Sequence, residues 1–189
     1  DLEPHGCLGD LGWYTLRFIL WVMDYATPKA VTGRLLNSAG RSDSPHPVPT
    51  EFSGEVLFED VSASFYCSFL TEHQQLAHIS GNKGNLRIDD FVLPYYGIRI
   101  VFQSSNAEFD CDVCDFRMER HEQAHHVEEY ANSHVSSQET NLFRNFSSLV
   151  LEGKPDPHWP KITLLTQKVM MTCMESAETG SKEIVLSPE

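Results

Sequence analysis

From Leu11 to Met23 the chain is apolar on almost every side, with Leu11, Trp13, Leu16, Phe18, Ile19, Leu20, Trp21, Val22 and Met23 interrupted by few polar residues. A helix of that composition has to be buried on more than one face. Arg17 breaks the run, which is too short to span a bilayer. Thr27-Pro28 marks its end. The approach to it, Gly6-Cys7-Leu8-Gly9-Asp10-Leu11-Gly12, lets the backbone turn tightly and come close to a neighbour. Asp10 is expected as an N-cap or first-turn acid at the positive end of the helix. Tyr14, four residues on, projects from the same face. An acid and a phenol so placed form either a proton-handling pair or a cap beside a buried tyrosine, and spacing alone favours the second.

The clearest strand is Val61 to Phe69, where Val61, Ala63, Phe65, Cys67 and Phe69 alternate with Ser62, Ser64, Tyr66 and Ser68. It pairs with Glu51–Phe58 across the turn Glu59-Asp60. Further strands are predicted at Val31–Leu36, Gln75–Ser80 and Asn85–Ile88, the last two joined by the turn Gly81-Asn82-Lys83-Gly84. Ile98–Gln103 and Phe109–Met118 give weaker strand signals, and Glu122–Tyr130 reads as a strand or a short helix. Ser38 to Pro49 reads as a loop and Phe91 to Tyr96 as an apolar connection. Helices are predicted over Gln138–Leu151 and Lys161–Ala177, with a short last strand at Ile184–Leu186. Antiparallel hairpins with one early and two late helices make an α+β domain: an open, mainly antiparallel β-sheet with helices packed on one face. Its other face must meet solvent or a partner.

The 189 residues suffice for a single domain, 1–189, with a substantial core. Against 27 acidic residues stand 14 basic ones, a formal charge of −13. That balance excludes a nucleic-acid backbone or an anionic membrane as the main partner. Five scattered cysteines do not resemble a secreted disulfide framework. No basic leader precedes an apolar stretch at the N-terminus. The expected setting is therefore intracellular and cytoplasmic.

Two other motifs have ordinary readings. Cys111-Asp112-Val113-Cys114, followed by His121, His125 and His126, fits no usual zinc spacing, and on a continuous strand its cysteines would face opposite ways, so no metal site is expected. Asp156-Pro157-His158 reads as a helix-start turn, with Pro160 suited to the first helical position. Asn145-Phe146-Ser147 is a glycosylation sequon by pattern, discounted because it falls on a predicted helix.

Asp10-Leu11-Gly12-Trp13-Tyr14, followed by Arg17-Phe18, resembles the motif that opens the second domain of the glucose–fructose oxidoreductase, inositol dehydrogenase and MocA family, in its tyrosine form. The similarity continues through Pro28-Lys29-Ala30-Val31, Ala63–Phe69, Ile79-Ser80-Gly81-Asn82-Lys83-Gly84, Lys154–Pro160 and Glu175-Ser176-Ala177, closest in flavour to plant-type members. Such proteins begin with a Rossmann domain carrying a Gly-rich phosphate turn and a Glu-Lys-Pro lysine. Neither feature occurs here. The resemblance implies the C-terminal, substrate-binding and oligomerisation half of an oxidoreductase that is inactive alone. Its cofactor would be NAD or NADP, bound mainly by a domain absent from this chain. Its partners would be a sugar, polyol, diol or related small molecule, the Rossmann domain, and a second copy across the open sheet face.

The resemblance also assigns roles. Asp10 and Tyr14 would line the substrate pocket, Tyr14 as the proton-handling group and Asp10 as its orienting neighbour. A tyrosine with an ordinary pKa near about 10 needs a nearby cation for that work at neutral pH. Trp13 and Arg17 would contact substrate, although an arginine at that position also suits the polar edge of a buried helix. The alternative is a non-catalytic dimerisation or ligand-binding module.

Overall fold

The computed structural model describes residues 3–43, 46–92, 99–128 and 134–187. These fall into two compact units, residues 1–71 with 156–189, and residues 72–155. The architecture is α+β, built from antiparallel sheets.

In the first unit, α1 (Gly6–Val22) precedes strands β1 (Ala30–Ala39), β2 (Val48–Leu57) and β3 (Ser62–Ser68). Helix α3 (His158–Glu178) and the short β8 (Ile184–Val185) complete it. The sheet order is β3-β2-β1-β8. Register explains the core. Val31 lies opposite Val56 and Val56 opposite Ala63; Phe52 lies opposite Cys67. Between them Gly33, Gly54 and Phe65 align, and the Phe65 ring stacks on Phe52 at 6.2 Å. Against this side pack Leu8, Leu16 and Leu20 of α1 and Val169, Met170 and Cys173 of α3. The alternate residues, Ser53, Glu55, Ser64 and Tyr66 among them, are polar and lie on the opposite side of the sheet. The helices thus cover one face, as the alternation in β3 requires.

The second unit is a meander, β4 (Ala77–Gly81), β5 (Gly84–Ile88), β6 (Arg99–Asp112) and β7 (Asp115–Glu128), followed by α2 (Gln138–Glu152). Ser137 caps α2, its side chain accepting from the Thr140 amide, and Gly153 ends it in a left-handed conformation. No α2 residue is buried.

Several boundaries differ from the sequence reading. Helix α1 starts at Gly6 rather than Leu11, because Cys7 and Leu8 are fully buried in the core and packing overrides the low helix propensity of the glycines. Strands β1 and β2 take in only the two ends of the expected Ser38–Pro49 loop, Ser38-Ala39 and Val48-Pro49. The weak signals at Ile98–Gln103, from Arg99 onward, and at Phe109–Met118 belong to one long hairpin, which also takes the ambiguous Glu122–Tyr130 segment into strand as far as Glu128. Its turn is Val113-Cys114, and Val113 has a φ of 56°. The two cysteines therefore sit about a turn rather than along one strand. Helix α3 starts at His158, so Pro160 is its third residue; Asp156 Oδ1 accepts from the His158 amide at 2.9 Å, the expected helix-start turn. Most of the Phe91–Tyr96 connection, and Tyr130, lie outside the described residues. No described helix is long and apolar enough to cross a membrane.

Candidate functional site

Helix α1 begins where the chain presses on β2. Gly6 has a φ of +53°, and a Cβ there would fall 2.0 Å from the Pro49 carbonyl oxygen. Only glycine permits that approach. The close contact fixes the rotation of the helix, with Leu8, Gly12, Leu16 and Leu20 buried. At 100° per residue, Asp10, Tyr14, Arg17 and Trp21 fall on a stripe away from that buried line.

The early start of α1 corrects the expected place of Asp10. It is the fifth helical residue, past the first turn, which holds no acid, and the N-cap is His5. Asp10 neither caps the helix nor lies at the strongest part of its dipole. Its side chain is exposed. Tyr14 is 49 % exposed, which removes the buried-tyrosine reading. Among the described residues neither side chain makes a hydrogen bond within the chain, so the spacing brings them to one face without pairing them.

Trp13 and Arg17 are half-buried. The Arg17 guanidinium lies 5.5 Å from the Trp13 ring centroid and donates to Thr163 Oγ1 on α3 at 3.2 Å. Arg17 therefore joins α1 to α3 while keeping part of its surface open. Sequence reading missed two residues on this helix. Trp21 is 60 % exposed and Phe18 packs beside it at 5.8 Å, giving the stripe an apolar end. The spacing 10, 14, 17, 21 carried that signal, but hydrophobicity hid it as core.

The start of α1 is unsuited to dinucleotide phosphates. The Pro49 carbonyl fills the space at Gly6, and the Glu3 carboxylate accepts from the His5 amide at 2.9 Å. Both groups present acceptor oxygens, and Glu3 a negative charge, where a phosphate would need donors.

In the second unit, a shallow hollow of about 480 Å³ is lined by Lys83, Asn85, Ser105, His121 and neighbours, none of them from α1. Glu108, Glu119 and His121 bring ligand atoms within 4.8 Å of one another, all three exposed. Cys111 and Cys114 are likewise exposed. Among the described residues, neither unit places a histidine of the second hairpin beside these cysteines in a set of three ligands.

Comparison with known proteins bears on this geometry. Residues 1–87 match the family model described as the GFO/IDH/MocA C-terminal domain. Over 96 % of its length the chain superposes on an aldose–aldose oxidoreductase from Caulobacter crescentus, solved with glycerol, at a TM-score of 0.64 and 19 % identity. GenD2 of gentamicin A biosynthesis, solved with NAD, matches over 97 % at 0.65 and 16 % identity. KijD10, a 3-ketoreductase from Actinomadura kijaniata solved with TDP-benzene and NADP, matches over 92 % at 0.66 and 15 % identity. The chain spans 48 % of each of these three structures. Residues 1–87 are thus similar to the GFO/IDH/MocA C-terminal domain, and the chain shares the fold of these solved oxidoreductases.

Proposed function

We propose that residues 1–189 act as the substrate-binding and oligomerisation half of an NAD(P)-dependent oxidoreductase that works on a CH–OH group of a sugar, polyol or diol. The observation that carries this reading is the Tyr14 side chain. It is half-exposed and has no hydrogen-bond partner among the described residues, within the segment matched by the family model. A phenol left open on a helix face is available to a ligand hydroxyl. Glycerol in the aldose–aldose oxidoreductase and the nicotinamide cofactors in GenD2 and KijD10 support the substrate and cofactor classes.

The residues present do not fit the phosphate end of a dinucleotide, so NAD or NADP is assigned to a separate Rossmann domain. That cofactor supplies hydride exchange when bound. This chain supplies proton handling at Tyr14 Oη, which takes or returns the proton of the substrate hydroxyl. Asp10, one turn earlier on the same face, orients the hydroxyl or the phenol. Trp13 offers an aromatic wall, and the open part of Arg17 offers donors to substrate oxygens. The uncovered polar side of β1–β3 is assigned to contact with a second copy.

The test uses the full-length protein. NADH and NADPH are titrated by fluorescence, and oxidation of sugars and diols is followed for wild type and Tyr14→Phe. The reading predicts that Tyr14→Phe keeps dinucleotide affinity and loses turnover by 10²-fold or more, on the order of a lost general acid–base. If the full-length wild type binds no dinucleotide, the chain is a non-catalytic module. If Tyr14→Phe turns over normally, the proton passes elsewhere.

A further inference from the structure

Three of the five cysteines, Cys7, Cys67 and Cys173, are buried. None has a part in the site above. Two of them touch although 60 residues separate them in the chain. The Cys67 thiol donates to Cys7 Sγ at 4.0 Å, and the Cys7 thiol donates back to the Cys67 carbonyl at 3.5 Å. The contact joins the second residue of α1 to strand β3. Gly12 lies beside it. A Cβ on Gly12 would lie 3.5 Å from Cys67 Sγ, so the missing side chain leaves that sulfur room to move.

The two thiols are chemically unlike. The Cys67 S–H points at the Cys7 sulfur and holds the Cys7 thiol below its ordinary pKa, with amides of the first turn of α1 adding to the effect. The same hydrogen bond, together with burial, pushes Cys67 up. Two thiols in contact, one held below its ordinary pKa against the opposing effect of burial and the other pushed up, can divide the roles of a reactive and a resolving cysteine.

We propose that Cys7 and Cys67 are a reversible dithiol–disulfide pair, oxidised by a hydroperoxide, that locks the start of α1 to β3. The Cys7 sulfur attacks the terminal oxygen of the hydroperoxide. The O–O bond breaks, Cys7 becomes a sulfenic acid, and an alcohol (or water, from hydrogen peroxide) leaves with the second oxygen. The Cys67 sulfur then attacks the Cys7 sulfur, the S–O bond breaks, and the hydroxyl leaves as water with the Cys67 proton. Two thiols are oxidised and one peroxide is reduced. A disulfide needs a separation of about 2.05 Å, so the sulfurs must close by about 2 Å, within reach of side-chain rotation. Burial makes this pair slower to oxidise than Cys111 and Cys114, and a dithiol reductant reverses it.

Trypsin places Cys7, Cys67 and Cys173 on separate peptides, ending at Arg17, Lys83 and Lys182, with Cys111 and Cys114 together on a fourth ending at Arg117. The full chain is treated with excess hydrogen peroxide under native conditions, blocked with an alkylating agent and mapped by mass spectrometry. The expected product joins the peptide ending at Arg17 to the one spanning 42–83, lacks two hydrogens, and vanishes on reduction. In Cys67→Ser, Cys7 should instead trap dimedone as a sulfenic acid. The proposal is overturned if Cys7 and Cys67 both stay alkylatable after Cys111 and Cys114 are consumed. It is equally overturned if Cys67 links to Cys173.

Discussion

Gly33 of β1 lies directly under Cys173 of α3: a Cβ on Gly33 would fall 1.9 Å from the Cys173 carbonyl oxygen and 2.8 Å from the Phe52 ring. The helix rests on bare strand backbone. Gly33→Ala must therefore lift α3 or bend β1, because the obstructing atom is backbone and cannot rotate away. The expected cost is about 3 kcal/mol, at the upper end for overpacked cores. Urea denaturation of the two proteins measures it, and an unchanged midpoint would refute the close approach.

Ser176 makes the neighbouring link. Its buried hydroxyl accepts from the Gly33 amide at 2.9 Å and donates to the Lys182 carbonyl. One side chain thus satisfies two backbone groups, on β1 and on the segment leading to β8. Ser176→Ala strands both, for an expected loss of about 2 kcal/mol. Amide exchange at Gly33 should accelerate with it, which a general loss of packing elsewhere would not single out.

The sheet was legible in the sequence where side chains alternate. Val61–Phe69 predicted β3 because Ala63, Phe65 and Cys67 face the core and Ser64 and Tyr66 do not. The long hairpin was not legible as one element, because neither strand has a fully buried face: Phe109, Phe116 and Met118 are all exposed. Without one-sided burial, period two disappears. The start of α1 was hidden for another reason. Glycines at 6, 9 and 12 read as a turn, yet two of the three pack against tertiary neighbours, Pro49 and Cys67, that no local pattern reveals. Tyr14 was singled out by spacing and family resemblance. Its exposure, and the absence of a bond to Asp10, depend on the rotation of the helix, which Gly6 and Pro49 set.

Burial pushes the Cys173 thiol up to about 12 from an ordinary 9.0. Between those values the folded protein keeps a proton that the unfolded chain has lost, so stability is full below pH 9 and falls as pH rises. The slope for this thiol is about 1.4 kcal/mol per pH unit. Cys67 shifts in the same direction, as does Tyr66, whose hydroxyl donates to Glu51. Denaturation midpoints measured across pH 9 to 12 should drop steadily, and Cys173→Ala should make the slope shallower by roughly one thiol's share. A slope unaltered by the substitution would mean that Cys173 ionises freely.

Arg17 has two candidate duties, and they separate experimentally. As a strut it holds Thr163 Oγ1 at 3.2 Å and covers the Trp13 ring. A half-exposed bond of this kind contributes about 0.5–1 kcal/mol. Thr163→Val removes the strut's partner and leaves the guanidinium in place. If Arg17 binds substrate oxygens, Arg17→Leu in the full-length protein raises KM by roughly tenfold or more, whereas Thr163→Val lowers the denaturation midpoint slightly and leaves KM within about twofold. If Arg17 is only a strut, both variants lose the same small stability and KM does not move.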